Sequence, residues 1–206
     1  METIKEEVPG GPLRERLVDA GVELLAAEGP GALGLREIAR RAGVSHGAPR
    51  RYFPTHRSLL SAIARRGFED LSARFVVALA GKSEPRAQVR ALGRAYVGYA
   101  LERRGMFELM FRHDLLDGTG RDPAEAGPRL RESTRPLFEL LTALVGRCGA
   151  AAPGVTAAAL WANLHGVAQL WAWGSLSLAL GEGEGRVDVD RLVAAALDAH
   201  LGSVPA

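Results

Sequence analysis

Apolar residues recur along this chain with helical spacing almost from end to end. Leu13, Leu17, Ala20, Gly21, Leu24 and Leu25 fall at i, i+4, i+7, i+8, i+11 and i+12, one stripe of an amphipathic helix. Gly29-Pro30-Gly31 ends it. The pattern then predicts a short helix over Leu35–Ala42, with Leu35, Ile38 and Ala39 inward and Arg36, Arg40 and Arg41 outward. Gly43 stops that helix, and Ser45 is placed to N-cap the next one, His46–Phe53. After Pro54, Thr55 caps a longer helix through Leu59, Leu60, Ile63, Phe68, Leu71 and Phe75 to about Ala80.

Beyond Gly81–Glu84 the spacing predicts helices over Pro85–Arg103 and Gly105–Arg112. The stretch His113–Pro128, rich in Gly, Pro and Asp, reads as a mobile loop. Helices over Arg129–Cys148, Pro153–Leu180 and Val187–Leu201 complete the chain. No alternating β-branched run marks a strand, and no internal repeat occurs. The expectation is an all-α protein: a small three-helix unit at 12–54, then a larger helical bundle at 55–206 whose first helix, 55–80, links the two.

Composition narrows this picture. At 206 residues, 47% apolar and 24% charged, the chain has enough apolar matter for a core. The single cysteine, Cys148, excludes an intrachain disulfide and a Cys-based zinc site. The start METIKEEVPGG carries no apolar signal region, so a cytoplasmic setting is expected. No Asp, Glu, Lys or Arg occurs from Cys148 to Gly181, long enough for a membrane span. Pro153, Asn163, His165 and Gln169 interrupt that run, and its many Ala and Gly favour a helix buried in a bundle or dimer.

The charge is uneven. Between Leu35 and Arg57 stand six arginines (36, 40, 41, 50, 51 and 57) against one acid, Glu37, although the net charge of the whole chain is only +2. Such a patch suits a polyanion. Its place decides its meaning, because it sits on two short helices that meet at Gly43. That geometry needs a small residue at Ala39, where the helices cross, and a glycine for the left-handed turn. It also needs apolar residues at Val44 and Pro49 to seat the second helix. The second helix then offers its first turn to base edges in a major groove, with neighbouring groups on phosphates.

The run L35-R-E-I-A-R-R-A-G-V-S45 followed by H46-G-A-P-R-R-Y-F-P-T-H-R-S-L-L60 resembles the N-terminal domain of TetR-type transcriptional repressors. More weakly, A95-Y-V-G-Y-A-L, F107-E-L-M-F and W161-A-N-L-H-G-V-A-Q-L170 resemble the ligand-binding domain of the subgroup named for its Trp-His-Gly signature. The resemblance implies an all-helical homodimer that represses transcription at a palindromic operator on double-stranded DNA until a small molecule enters the C-terminal domain. On it, 12–54 is the helix-turn-helix domain and 55–206 the ligand-binding and dimerisation domain. It implies DNA contacts from Arg36, Ser45, His46, Gly47, Ala48, Arg50, Arg51, Tyr52 and His56. Three positions depart from the family habit. Gly34 stands where a Ser or Thr often caps, Arg50 where an aromatic is usual, and His56 where a lysine is frequent. Operator preference therefore does not carry over.

In the second unit, Trp161, His165 and Gln169 stack on one helical face beside Leu164. With Met106, Phe107, Met110 and Phe111 as an opposite wall, they form a candidate ligand pocket. Uncharged faces such as Val193, Leu197 and Leu201 are expected to pack between subunits. His113, Asp114 and Asp117 lack a fourth ligand, and no cofactor or catalytic motif occurs, so neither metal nor enzymatic chemistry is expected. Two rivals remain at this stage: a helical small-molecule carrier or enzyme with an incidental basic end, and a DNA-binding architectural protein without an effector.

Overall fold

The computed structural model describes residues 12–116, 130–180 and 188–203, and every regular element among them is helical. The first three helices are α1 (Pro12–Glu28), α2 (Leu35–Arg41) and α3 (Pro49–Tyr52), with a single 3-10 turn at Pro30–Ala32. The long α4 (His56–Leu79) follows, then α5 (Pro85–Glu102), α6 (Arg104–Met110) and α7 (His113–Leu116). The last four are α8 (Leu130–Arg147), α9 (Pro153–Ala172), α10 (Ser175–Leu180) and α11 (Val189–Leu201).

Two compact units emerge, and they divide α4 at Gly67. The first holds α1–α3, the N-terminal half of α4, α6 and α7; the second holds Phe68–Arg104 and nearly all of the chain from α8 onward. The sequence suggested one cut near residue 54. The cause is non-local: Gly67 leaves room on α4 for α6, so that a Cβ there would lie 2.6 Å from the Met110 sulfur. Met106, Phe107 and Met110 are thereby buried in the first unit.

The core of the first unit comes from the predicted stripes, with Leu17, Leu24, Ile38, Ala39, Phe53, Leu59 and Ile63 all but closed to solvent. Helix α4 begins with a reciprocal cap. Ser58 N–H donates to Thr55 Oγ1 at 3.0 Å, and Thr55 N–H donates to Ser58 Oγ at 3.2 Å. In the second unit, α5, α9 and α11 pack on one another around Val97, Leu160, Leu164, Val193 and Leu197. Glu84 caps α5 through the Arg86 and Ala87 N–H groups, and Asp188 caps α11 through Arg191 N–H at 2.8 Å.

Four expectations change. His46–Ala48 form a turn rather than the start of a helix, because Pro49 has no N–H to close an α-helical bond onto the Ser45 carbonyl. Ala48 N–H takes that carbonyl instead at 3.0 Å, so Ser45 acts through its backbone and α3 has no side-chain cap. The helix expected over Pro153–Leu180 is two, broken at Gly174 (φ 76°), where Trp173 and Gly174 N–H groups close the end of α9. His113–Leu116 are helical, and the rest of the expected loop lies outside the described residues, as does Asp117. Val193 and Leu197 are core within the subunit and do not face outward. No helix among the described residues is long and apolar enough to cross a membrane.

Gly43 turns the chain at φ 68°, a conformation that costs an L residue about 1–2 kcal/mol. Gly43→Ala is expected to lower unfolding stability by about that amount. Gly47→Ala, at a residue with ordinary φ and open space around its Cβ, should be neutral or slightly stabilising. Urea denaturation of the two variants checks the difference.

Candidate nucleic-acid interface and effector niche

The α2–α3 turn is held from three sides. Val44 N–H donates to the Ala39 carbonyl at 3.0 Å, across the glycine. Arg16 of α1 donates to the Ala42 carbonyl at 2.6 Å, satisfying an acceptor that the end of α2 would otherwise leave open. Pro49 and Phe53 are buried on either side of α3, and the Arg14 guanidinium lies 5.0 Å over the Phe53 ring. Ser45, His46 and Gly47 are exposed in the turn, Ala48 and Tyr52 half-exposed, and Arg50 and Arg51 exposed on α3.

The six arginines sort into two groups. Arg40 forms a forked pair with Glu37 on its own helix, 2.9 Å at Nε, and this holds the Glu37 carboxyl below its ordinary range. Arg41 reaches Glu23 at 3.3 Å, and Arg57 donates to the Asp114 carbonyl of α7. Arg36, Arg50 and Arg51 make no hydrogen bond or ion pair among the described residues. His56 differs from the expectation. Its Nε2 donates to the Leu33 carbonyl, tying the start of α4 to the residue before the α2 cap. A neutral ring with its proton there presents Nδ1 as an acceptor, so only the imidazolium form has a further N–H for a phosphate.

The second unit holds a polar triad in which Tyr96 is buried, His165 half-buried and Trp161 partly exposed. Trp161 Nε1–H donates to the Tyr96 hydroxyl at 3.0 Å, and that hydroxyl meets His165 Nδ1 at 2.7 Å. The arrangement that uses every polar hydrogen has Tyr96 donating to Nδ1, which leaves the proton of the His165 ring on Nε2. Burial pushes the Tyr96 phenol far above its ordinary range and pushes His165 below its own, so both are neutral. The Trp161 ring lies 6.0 Å from His165 and 6.4 Å, edge to face, from Phe138 of α8.

Of the candidate pocket residues, Trp161 and His165 are brought together here, with Leu164 buried one turn away and Gln169 half-buried on the same helix. Met106, Phe107, Met110 and Phe111 belong to the first unit, where Phe107 and Phe111 pair at 4.8 Å. Sequence reasoning missed Tyr96 as the hub, although it lies in the A95-Y-V-G-Y-A-L run, and it missed Phe138 and Arg16.

Two expected outcomes follow from the triad. Tyr96→Phe leaves Trp161 N–H and His165 Nδ1 without that hydroxyl and should destabilise by about 1–3 kcal/mol, read by urea denaturation. His165 resists protonation in the folded chain, whereas in the unfolded chain it titrates near its ordinary value of about 6.5. Below that value the unfolded state binds the extra proton, so this contribution to stability is lost as pH falls toward 5 and restored above 7. His165→Gln should flatten that part of the stability–pH profile.

The comparisons agree with this geometry. Residues 17–63 match the sequence model described as bacterial regulatory proteins of the tetR family, and residues 89–200 match the tetracycline repressor-like C-terminal domain. A protein of unknown function from Rhodococcus sp. RHA1 is 30% identical, with 97% of each chain covered and a TM-score of 0.72. The multidrug binding protein EbrR, solved with imidazole, is 25% identical over the whole of both chains, with a TM-score of 0.61. Thermus thermophilus FadR, a TetR family transcriptional repressor solved with lauroyl-CoA, is 21% identical over 94% of this chain and 96% of its own, with a TM-score of 0.63. No curated protein matches. With both of its domains matched in order over a wholly helical framework, the chain belongs to the TetR family of DNA-binding transcriptional regulators.

Proposed function

We propose that this regulator acts as a homodimeric repressor, binding a palindromic operator through the α2–α3 turn and released by a small molecule held in the second unit. The observation that carries the DNA reading is the sorting of the arginines. Arg40 and Arg41 are paired with the Glu37 and Glu23 carboxylates and Arg57 is held on the Asp114 carbonyl, while Arg36, Arg50 and Arg51 flank the exposed Ser45–Gly47 turn without a partner among the described residues. Arginines held this way suit phosphates, or a guanine edge read in bidentate fashion. Ser45, His46, Gly47, Ala48, Tyr52 and His56 are the remaining proposed contacts.

A four-residue reading helix gives little affinity alone, and two on one dimer reach successive major grooves about 34–36 Å apart. Support for the dimer comes from α9, which has no charged residue and exposes Val155, Ala158 and Ala162, with Ala195 and Ala199 exposed on α11. Support for an effector comes from the Tyr96–Trp161–His165 niche, a few fixed polar groups among aromatic and aliphatic side chains. Similar chains bind imidazole and lauroyl-CoA.

Fluorescence anisotropy on DNA selected from a random-sequence library tests the reading over a salt series. Arg36→Ala, Arg50→Ala and Arg51→Ala should each weaken binding about tenfold. For those that meet phosphate, the log–log salt slope should fall by about 0.9 per substitution. Arg40→Ala should stay within about twofold of the parent, since its guanidinium is already committed. Failure of the selection to return any sequence bound more tightly than its competitors would defeat the proposal.

A further inference from the structure

The second unit carries a groove that neither the reading head nor the aromatic niche uses. It runs between the C-terminal half of α4 and the facing side of α5 as two hollows of about 570 and 400 Å³ that share Ala78, Arg94 and Ala95. Its two ends differ in chemistry. Toward the α4–α5 turn stand Lys82, Arg86 and Arg90, with the Glu84 carboxylate on the same rim, accepting from the Arg86 and Ala87 N–H groups at the start of α5. Arg86 and Arg94 are paired with Asp198 and Asp190 of α11. Lys82 and Arg90 have no side-chain hydrogen bond or ion pair among the described residues.

Toward the other end the lining is Ala73, Val77, Ala95 and Gly98, and Val77 leaves three-quarters of its surface in water. That end is blind. Arg74 of α4 bridges to Glu102 of α5 at 2.6 Å while its guanidinium lies 5.0 Å from the Tyr99 ring. The bridge matters for what fits, because a docked helix would have to run through it, whereas a single chain can stop short of it.

We propose that this groove binds one anionic amphiphile, a free straight-chain carboxylate, with its head between Lys82 and Arg90 and its tail lying along Ala78, Ala95 and Gly98. Two unpaired cations at one end and an apolar strip at the other match those two parts in order. The Arg74–Glu102 bridge sets a length. From Arg90 to Glu102 is twelve residues of α5, about 18 Å at 1.5 Å per residue, which accommodates an acyl chain of roughly twelve carbons. The proposal does not depend on the DNA reading: its failure would leave the operator titration unaffected, and the converse also holds.

Calorimetric titration of the full chain with decanoate, dodecanoate and longer carboxylates, all below micelle-forming concentrations, tests it. One saturable site per chain is expected, tightening about two- to fourfold per methylene up to roughly twelve carbons and flat beyond. 1-Decanol should bind at least about tenfold more weakly than decanoate, since it lacks the charge met by Lys82 and Arg90. Arg90→Glu and Gly98→Leu should each cost at least about tenfold in affinity for the carboxylate. A Cβ on Gly98 meets nothing within 4 Å, so the leucine leaves the fold intact and projects into the groove. Equal binding by Gly98→Leu and the parent overturns the proposal. So does loss of binding in Trp161→Ala alone, or sedimentation with phosphatidylglycerol vesicles without binding of the free carboxylate.

Discussion

A helix of four residues cannot sustain itself, and α3, the proposed DNA-reading element, is that short. α3 closes one α-helical bond, from Phe53 N–H to the Pro49 carbonyl at 2.8 Å, far below the length at which an isolated helix gains from propagation. Its shape therefore comes from what surrounds it. Pro49 and Phe53 bury its two ends, Gly43 supplies the left-handed turn, and Arg16 fills the acceptor at Ala42. The capped start of α4 fixes where the chain leaves. The head is held in place by α1 and α4, so those two helices support the proposed reading surface as well as bordering it.

The two units use polar chemistry in opposite ways. In the first, arginines are fixed or left available according to whether an acceptor stands within reach, so the same residue type serves as brace at Arg16 and as exposed cation at Arg50. In the second, the Tyr96–Trp161–His165 triad puts neutral donors and acceptors against one another, from the buried Tyr96 out to the partly exposed Trp161. Burial keeps the ring and the phenol uncharged there, at the cost of sensitivity to acid.

Local chemistry made most of the fold legible. Apolar spacing placed α1, α2, α4 and α5 within a residue or two, Thr55 was recognisable as a cap, and Gly43 as a turn. The errors have physical causes of two kinds. One is backbone chemistry that side-chain periodicity does not register: the missing N–H of Pro49 shortened α3, and Gly174 divided α9 from α10. The other is contact between residues distant in sequence. Nothing local says that His56 will bond Leu33, that Tyr96 will meet a tryptophan 65 positions on, or that Val193 and Leu197 will face inward. The DNA-facing candidates were legible as a cluster of charge, but which cations were already spoken for was not.

That last point reaches the behaviour of the protein away from its target. Grip on arbitrary DNA scales with the counterions displaced by unpaired cations. In the 35–57 segment three arginines of six are tied to Glu37, Glu23 and the Asp114 carbonyl. Arg57 keeps its charge on a neutral carbonyl, so only the two carboxylate pairs subtract cations: about four counterions would be released there rather than six, which leaves more of the dwell time to base and shape recognition. The internal pairing of Arg40 and Arg41 with carboxylates acts as a brake on stickiness, shortening each unproductive stop on DNA that is not the target.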